Sequence, residues 1–152
     1  MKGSNDKRID GTLRDLKIRP TKVRKDVLGL FSRVEFALSH ADIERHIKQK
    51  FDRVTIYRTL EMFEKSGLIH KVIDDTGVTK YASHGYGGCD VHFRHHKTNH
   101  LHFKCTECGN IYCMCSVEVP KIDFPIDFEL KILKLSAEGI CKKCLSKGNK
   151  TT

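Results

Sequence analysis

A doubled Cys-x-x-Cys constrains this chain more than any other feature. Cys105 and Cys108 form the first pair, Cys141 and Cys144 the second. Each short loop presents two sulfurs to one point. Two such loops supply the four thiolates of a tetrahedral zinc site, with zinc–sulfur distances of about 2.3 Å. The last third of the chain must therefore close on itself. Directly before the first pair stands Asn99-His100-Leu101-His102-Phe103. In a strand, His100 and His102 project from one face and Leu101 and Phe103 from the other. One face can then carry metal ligands while the other joins a core.

The 152 residues suffice for one ordinary domain or two small ones. No run of about 18 apolar residues occurs, so no membrane partner is expected. The start, Met-Lys-Gly-Ser-Asn-Asp, lacks the apolar stretch of a signal peptide. Without export, seven cysteines read as metal ligands rather than disulfides, and a cytoplasmic location is expected. The net charge is +9, and residues 1–58 hold 15 basic against 8 acidic residues, a net +7. A basic excess gathered at one end suits a nucleic-acid partner.

Residues 1–10 are polar and read as frayed. Leu13, Leu16 and Ile18 give a short helical pattern that Pro20 ends. Thr21 is positioned as the N-cap of a helix with Val23, Val27, Leu28, Leu30 and Phe31 along one stripe. Ser39 and Asp42 have the spacing of a capping box, and the helix they open carries Ile43 and Ile47 and ends near Lys50. Asp52 caps the next helix. Its inward face is Ile56, Leu60 and Phe63, and its outward face shows Arg53, Thr55, Tyr57 and Arg58. Gly67 stands where a left-handed C-terminal residue is expected. Two β-prone runs follow, Leu68–Ile73 and Val78–Ala82, around the turn Asp74-Asp75-Thr76-Gly77. Helices followed by a hairpin predict a winged helix-turn-helix whose last helix enters the major groove. Tyr57 and Arg58 can bond phosphates, and an arginine can read guanine with two hydrogen bonds.

Residues 84–98 then form a glycine- and histidine-rich hinge holding Cys89, His92, His95 and His96. Beyond it, Asn110 to Cys115, which contains Cys113 and Cys115, and Phe128 to Leu135 read as strands. Pro120 and Pro125 exclude a long helix between Val117 and Phe128. The predicted fold class is α+β. A winged-helix DNA-binding domain (1–83), the hinge (84–98) and a small C-terminal α/β dimerisation and metal-binding domain with a four-cysteine zinc site (99–152) make up the chain.

These segments together resemble the ferric uptake regulator family of metal-dependent repressors. The resemblance rests on Val54-Thr55-Ile56-Tyr57-Arg58-Thr59-Leu60 with Ser66-Gly67-Leu68, on Asn99-His100-Leu101-His102 before Cys105-Thr-Glu-Cys108-Gly109, and on Gly139-Ile-Cys141-Lys-Lys-Cys144. It implies a homodimer, a double-stranded DNA operator, a structural zinc on Cys105, Cys108, Cys141 and Cys144, and a separate sensing metal. It further implies that His40, His100 and His102 serve the sensing metal and that Arg24, Tyr57 and Arg58 lie near DNA. The chain departs from the family where a carboxylate often follows the second wing strand, here Ala82, and in lacking a histidine at residues 129–138. Cys113 stands where peroxide-sensing members carry aspartate.

The function that follows is a metal-responsive transcriptional repressor controlling metal-homeostasis genes. The expected regulatory ligands are His40, Cys89, His100 and His102, with His92, His95 or His96 as substitutes for Cys89. Such nitrogen and sulfur donors favour Zn2+ over Fe2+ or Mn2+ at the second site. An iron- or peroxide-sensing repressor is the alternative within the class. A zinc enzyme or a zinc protein without DNA binding is the alternative outside it. No His-Glu-x-x-His occurs and no βαβ pattern surrounds the Cys-x-x-Cys pairs, so an enzyme is not expected.

Overall fold

The computed structural model describes residues 2–47, 51–73, 76–83, 100–131 and 133–148. Helix α1 (Lys2–Asp15) begins well before the expected start, so the polar opening is not frayed. Ile9 and Leu13, four apart on one helical face, are 3% and 0% exposed, and that burial holds the polar turns in register. Helix α2 (Lys22–Phe31) follows an extended Thr21 whose hydroxyl makes no capping hydrogen bond, so Thr21 caps by backbone alone.

Strand β1 (Leu38–Ser39) leads into α3 (His40–His46). The capping box is formed: Asp42 N–H donates to Ser39 Oγ at 3.1 Å, and Ser39 N–H donates back to the Asp42 carboxylate at 3.0 Å. Helix α3 ends at His46, a turn earlier than expected. Helix α4 (Arg53–Lys65) starts on Asp52, whose carboxylate accepts from Thr55 N–H at 2.9 Å. Gly67 takes φ +75 and lets the chain turn out of the helix without a Cβ penalty. Strands β2 (Ile69–Ile73) and β3 (Thr79–Ser83) form the antiparallel wing, with β1 on the far edge of β3. Leu28, Phe31, Ile43, Ile56, Leu60 and Phe63 are buried together between α2, α3 and α4. Asp52→Ala should lower stability measurably, since it leaves the first-turn donors of α4 uncapped. A urea denaturation curve checks this, and an unchanged midpoint would deny Asp52 that role.

The C-terminal sheet has the order β5-β4-β6. Strand β4 (Leu101–Cys105) pairs antiparallel with β5 (Ile111–Met114) and parallel with β6 (Leu135–Gly139). The strand expected at Phe128–Leu135 thus lies later, sharing only Leu135. Among the described residues no helix or strand intervenes between β5 and β6, in keeping with Pro120 and Pro125. A short helix α5 (Lys142–Gly148) closes the chain. The sheet meets the helical unit through Ala37 N–H donating to the Ile111 carbonyl at 2.8 Å and through edge-on packing of Phe36 on Tyr112. No helix among the described residues is long and apolar enough to cross a membrane.

Candidate metal centres and nucleic-acid interface

The pairing of β4 with β6 sets Cys105 opposite Gly139, so Cys141 arrives beside the first cysteine loop. Gly109, at φ +69, closes that loop by letting its N–H donate to the Cys105 carbonyl at 2.9 Å. The sulfurs of Cys105, Cys108, Cys141 and Cys144 all lie within 4.8 Å of one another, and those of Cys108 and Cys141 are 3.9 Å apart. Zinc–sulfur bonds of about 2.3 Å in a tetrahedron require about 3.8 Å between sulfurs, so the four residues fit the ion.

The surroundings prepare some of these thiols for a cation. The Tyr112 hydroxyl faces the Cys141 sulfur without a bond of good geometry, yet it is the main influence holding that thiol down at about 6. The Cys144 backbone N–H and neighbouring thiols add to it. At Cys105, burial raises the thiol's pKa, but backbone N–H groups, including that of Cys141 at 3.3 Å, outweigh it and the pKa is lowered. Desolvation and the neighbouring sulfurs push Cys144 up to about 12, so its proton must leave when metal enters.

A second group forms where the wing meets the C-terminal sheet. It contains His70 of β2, His100 and His102 at β4, and Cys113 of β5, with ligand atoms all within 4.8 Å of one another. His102 and Cys113 face each other in the β4–β5 register. Burial lowers the pKa of His102, which favours the neutral imidazole a metal needs, and pushes the Cys113 thiol up to about 12.

Of the four residues expected around the second metal, His100 and His102 come together. His40 does not join them. It stands at the first position of α3, with Nδ1 3.4 Å from the Glu44 carboxylate, and it lines a cleft of about 360 Å³ with Arg53, Val54, Tyr57, Thr79 and Tyr81. Cys89 and the hinge histidines His92, His95 and His96 lie outside the described residues. His70 and Cys113 are the additions. The β-prone run from Leu68 to Ile73 signalled that His70 belongs to a strand, but no local spacing links it to residues 30 positions on.

The outward face of α4 exposes Arg53, Tyr57 and Arg58, with Tyr57 56% exposed. Arg53 Nε lies 3.4 Å from Glu44. Thr55 is partly buried, and its hydroxyl donates to Asp52, so it serves the start of the helix as well as its surface. Arg24 donates from Nη1 to the Arg19 carbonyl at 2.6 Å, at the N-terminal end of α2.

Residues 15–134 match the model of the ferric uptake regulator family. Among curated relatives, the ferric uptake regulation protein of Bacillus subtilis strain 168 is 28% identical over 125 residues, covering 78% of each chain. The peroxide-responsive repressor PerR of Staphylococcus epidermidis is 23% identical over 145 residues, covering 91% of this chain and 89% of that protein. Among solved structures, a zinc uptake regulator complexed with zinc and DNA aligns over 97% of each chain with a TM-score of 0.64 and 20% identity. The ferric uptake regulator of Helicobacter pylori aligns over 95% of this chain and 94% of its own, with a TM-score of 0.54 and 19% identity.

Proposed function

Because the chain belongs to the ferric uptake regulator family, and so is a metal-responsive transcriptional regulator, we propose that it is a homodimeric, zinc-responsive repressor. Members of the family are transcription regulators, not enzymes. The observation that carries the reading is the outward face of α4. Its Arg53, Tyr57 and Arg58 stand exposed opposite the buried Ile56, Leu60 and Phe63, as an element that enters a DNA groove requires.

One zinc ion is structural and is held by Cys105, Cys108, Cys141 and Cys144. The sensing metal binds at the His100–His102 pair. Zinc is supported over harder ions by the nitrogen and sulfur donors around that pair, among which no carboxylate stands in the described residues. Dimerisation is supported by the exposed apolar side chains Ile122, Phe124, Ile126, Phe128 and Leu130, gathered in one segment that a second copy would cover.

The test is selection of duplex DNA from a random pool by the zinc-loaded protein, followed by binding to the selected duplex with zinc and with chelator. Zinc-dependent binding is expected. Equal binding in both conditions would overturn the reading. Arg58→Ala should weaken binding by about 1–3 kcal/mol without altering metal content, if Arg58 reads a base edge. An unchanged affinity at moderate salt would remove Arg58 from the interface.

A further inference from the structure

We propose that the Tyr112 hydroxyl donates a hydrogen bond to the zinc-bound sulfur of Cys141 and so guards that sulfur from electrophiles. Tyr112 is then a positioning residue of the four-cysteine site, acting through a ligand without touching the ion. The inference rests on the reading that Cys105, Cys108, Cys141 and Cys144 hold a structural zinc.

Tyr112 lies on β5, directly across from Phe103 on β4. It is 7% exposed and packs with Cys105 and Cys141 in one buried cluster. Phe36, from the helical unit, meets its ring edge-on with centroids 6.2 Å apart. The ring is thus held on both sides, and its hydroxyl is carried into the cysteines. That hydroxyl is buried and makes no hydrogen bond among the described residues. Folded proteins seldom leave such a group without a partner, because an unpaired buried hydroxyl is costly. Of the groups that act on it, the Cys141 sulfur comes first after burial itself, ahead of the Asn110 side chain. A thiol sulfur is a weak acceptor. A zinc ligand is a thiolate, and hydrogen bonds to an ionised acceptor are the strong ones. When zinc enters, Cys141 gives up its proton, and the hydroxyl gains the acceptor it lacks.

The sulfurs around the ion are therefore unlike. Cys105 is buried and accepts from the Cys141 N–H at 3.3 Å. Cys141 is buried and faces the Tyr112 hydroxyl. Cys108 is exposed. A donor beside a ligand draws charge from it, and a thiolate with less charge is a poorer nucleophile. Attack on the site then begins at Cys108, while Cys141 stays on the ion. Burial protects Cys141 as well. Removing the hydroxyl while keeping the ring separates the two effects.

The experiment treats the full-length protein, carrying one zinc, with iodoacetamide. A thiolate displaces iodide and forms a thioether, and the zinc it releases is captured by a chromophoric chelator. Peptide mass spectrometry locates the label in the singly modified protein. In the parent, the label among these four cysteines should lie on Cys108. Tyr112→Phe keeps the ring against Phe36, so it should retain one zinc and the parental circular dichroism. It should nevertheless release zinc several-fold faster, with part of the first label on Cys141. Tyr81→Phe, which removes a hydroxyl from the wing, should behave as the parent. Parental release with the first label still on Cys108 in a zinc-loaded Tyr112→Phe overturns the proposal. Should Tyr112→Phe fail to hold zinc, the parent loaded with a spin-active cadmium isotope decides. Its NMR spectrum should show a scalar coupling from the metal, through the Cys141 sulfur, to the Tyr112 hydroxyl proton, and absence of that coupling overturns the proposal. Full zinc retention by Cys108→Ser would overturn the structural-zinc reading itself, and this proposal with it.

Discussion

Cys108→Ser should lose the structural zinc and unfold the C-terminal sheet, the largest effect expected of any single substitution here. The reason is how little else holds that unit. Its core beside the cysteines is Cys105, Tyr112 and Cys141, with Phe36, Phe103, Met114 and Cys144 only partly buried around them. Such a cluster buries too little apolar surface to offset the entropy of ordering three strands. Metal binding supplies the difference, because its free energy acts as folding free energy and reaches about 10–16 kcal/mol in small zinc modules. Serine keeps the shape but offers no thiolate. Three ligands then remain around an ion that structural sites hold with four. Zinc analysis and amide hydrogen exchange across β4, β5 and β6 would read the result. A variant that kept its full zinc and its exchange protection would show that Cys108 is not a ligand.

That cluster was legible in the sequence because its ligands come as two local loops, and the spacing within each loop carries the geometry. The second cluster was legible only in part. His100 and His102 share a strand face by alternation alone, so their pairing follows from local sequence. Their partners do not. His70 reaches them because Ala37 bonds Ile111 and Phe36 packs on Tyr112, bringing the wing against the C-terminal sheet. No periodicity encodes a contact between two sheets. The expected ligand His40 was drawn from resemblance, yet the start of α3 places it beside Glu44 and the cleft under α4. The winged unit was read more fully, since the capping residues Ser39 and Asp52 and the stripe Ile56, Leu60 and Phe63 are local signals. The helix at residues 2–8 was missed because its polar composition hid the single buried face on which Ile9 and Leu13 lie. The last strand was misplaced because its register is set by parallel pairing with β4, not by its own alternation.

Phe63→Ala should cost about 3–5 kcal/mol, a large share of the 5–15 kcal/mol by which a typical domain is stable. Phe63 is 0% exposed and sits on the inner face of α4, in the cluster that also holds Leu28, Phe31, Ile43 and Ile56. Truncation removes the transfer free energy of the ring and leaves a cavity that helices α2 and α3 can close only partly. The loss falls on the element that presents Tyr57 and Arg58, so DNA binding should weaken although neither residue is touched. It should fall on a different unit from the loss in Cys108→Ser. The four cysteines belong to a separate cluster that contains no α4 residue, although Phe36 packs against both. Phe63→Ala should therefore keep its structural zinc and its exchange protection in β4 to β6 while its α4 amides exchange faster. Denaturant unfolding with paired zinc analysis separates the two. Zinc loss from Phe63→Ala at temperatures where the C-terminal strands stay protected would contradict this division of labour, for it would mean that the helical core, not the sulfurs, holds the ion in place.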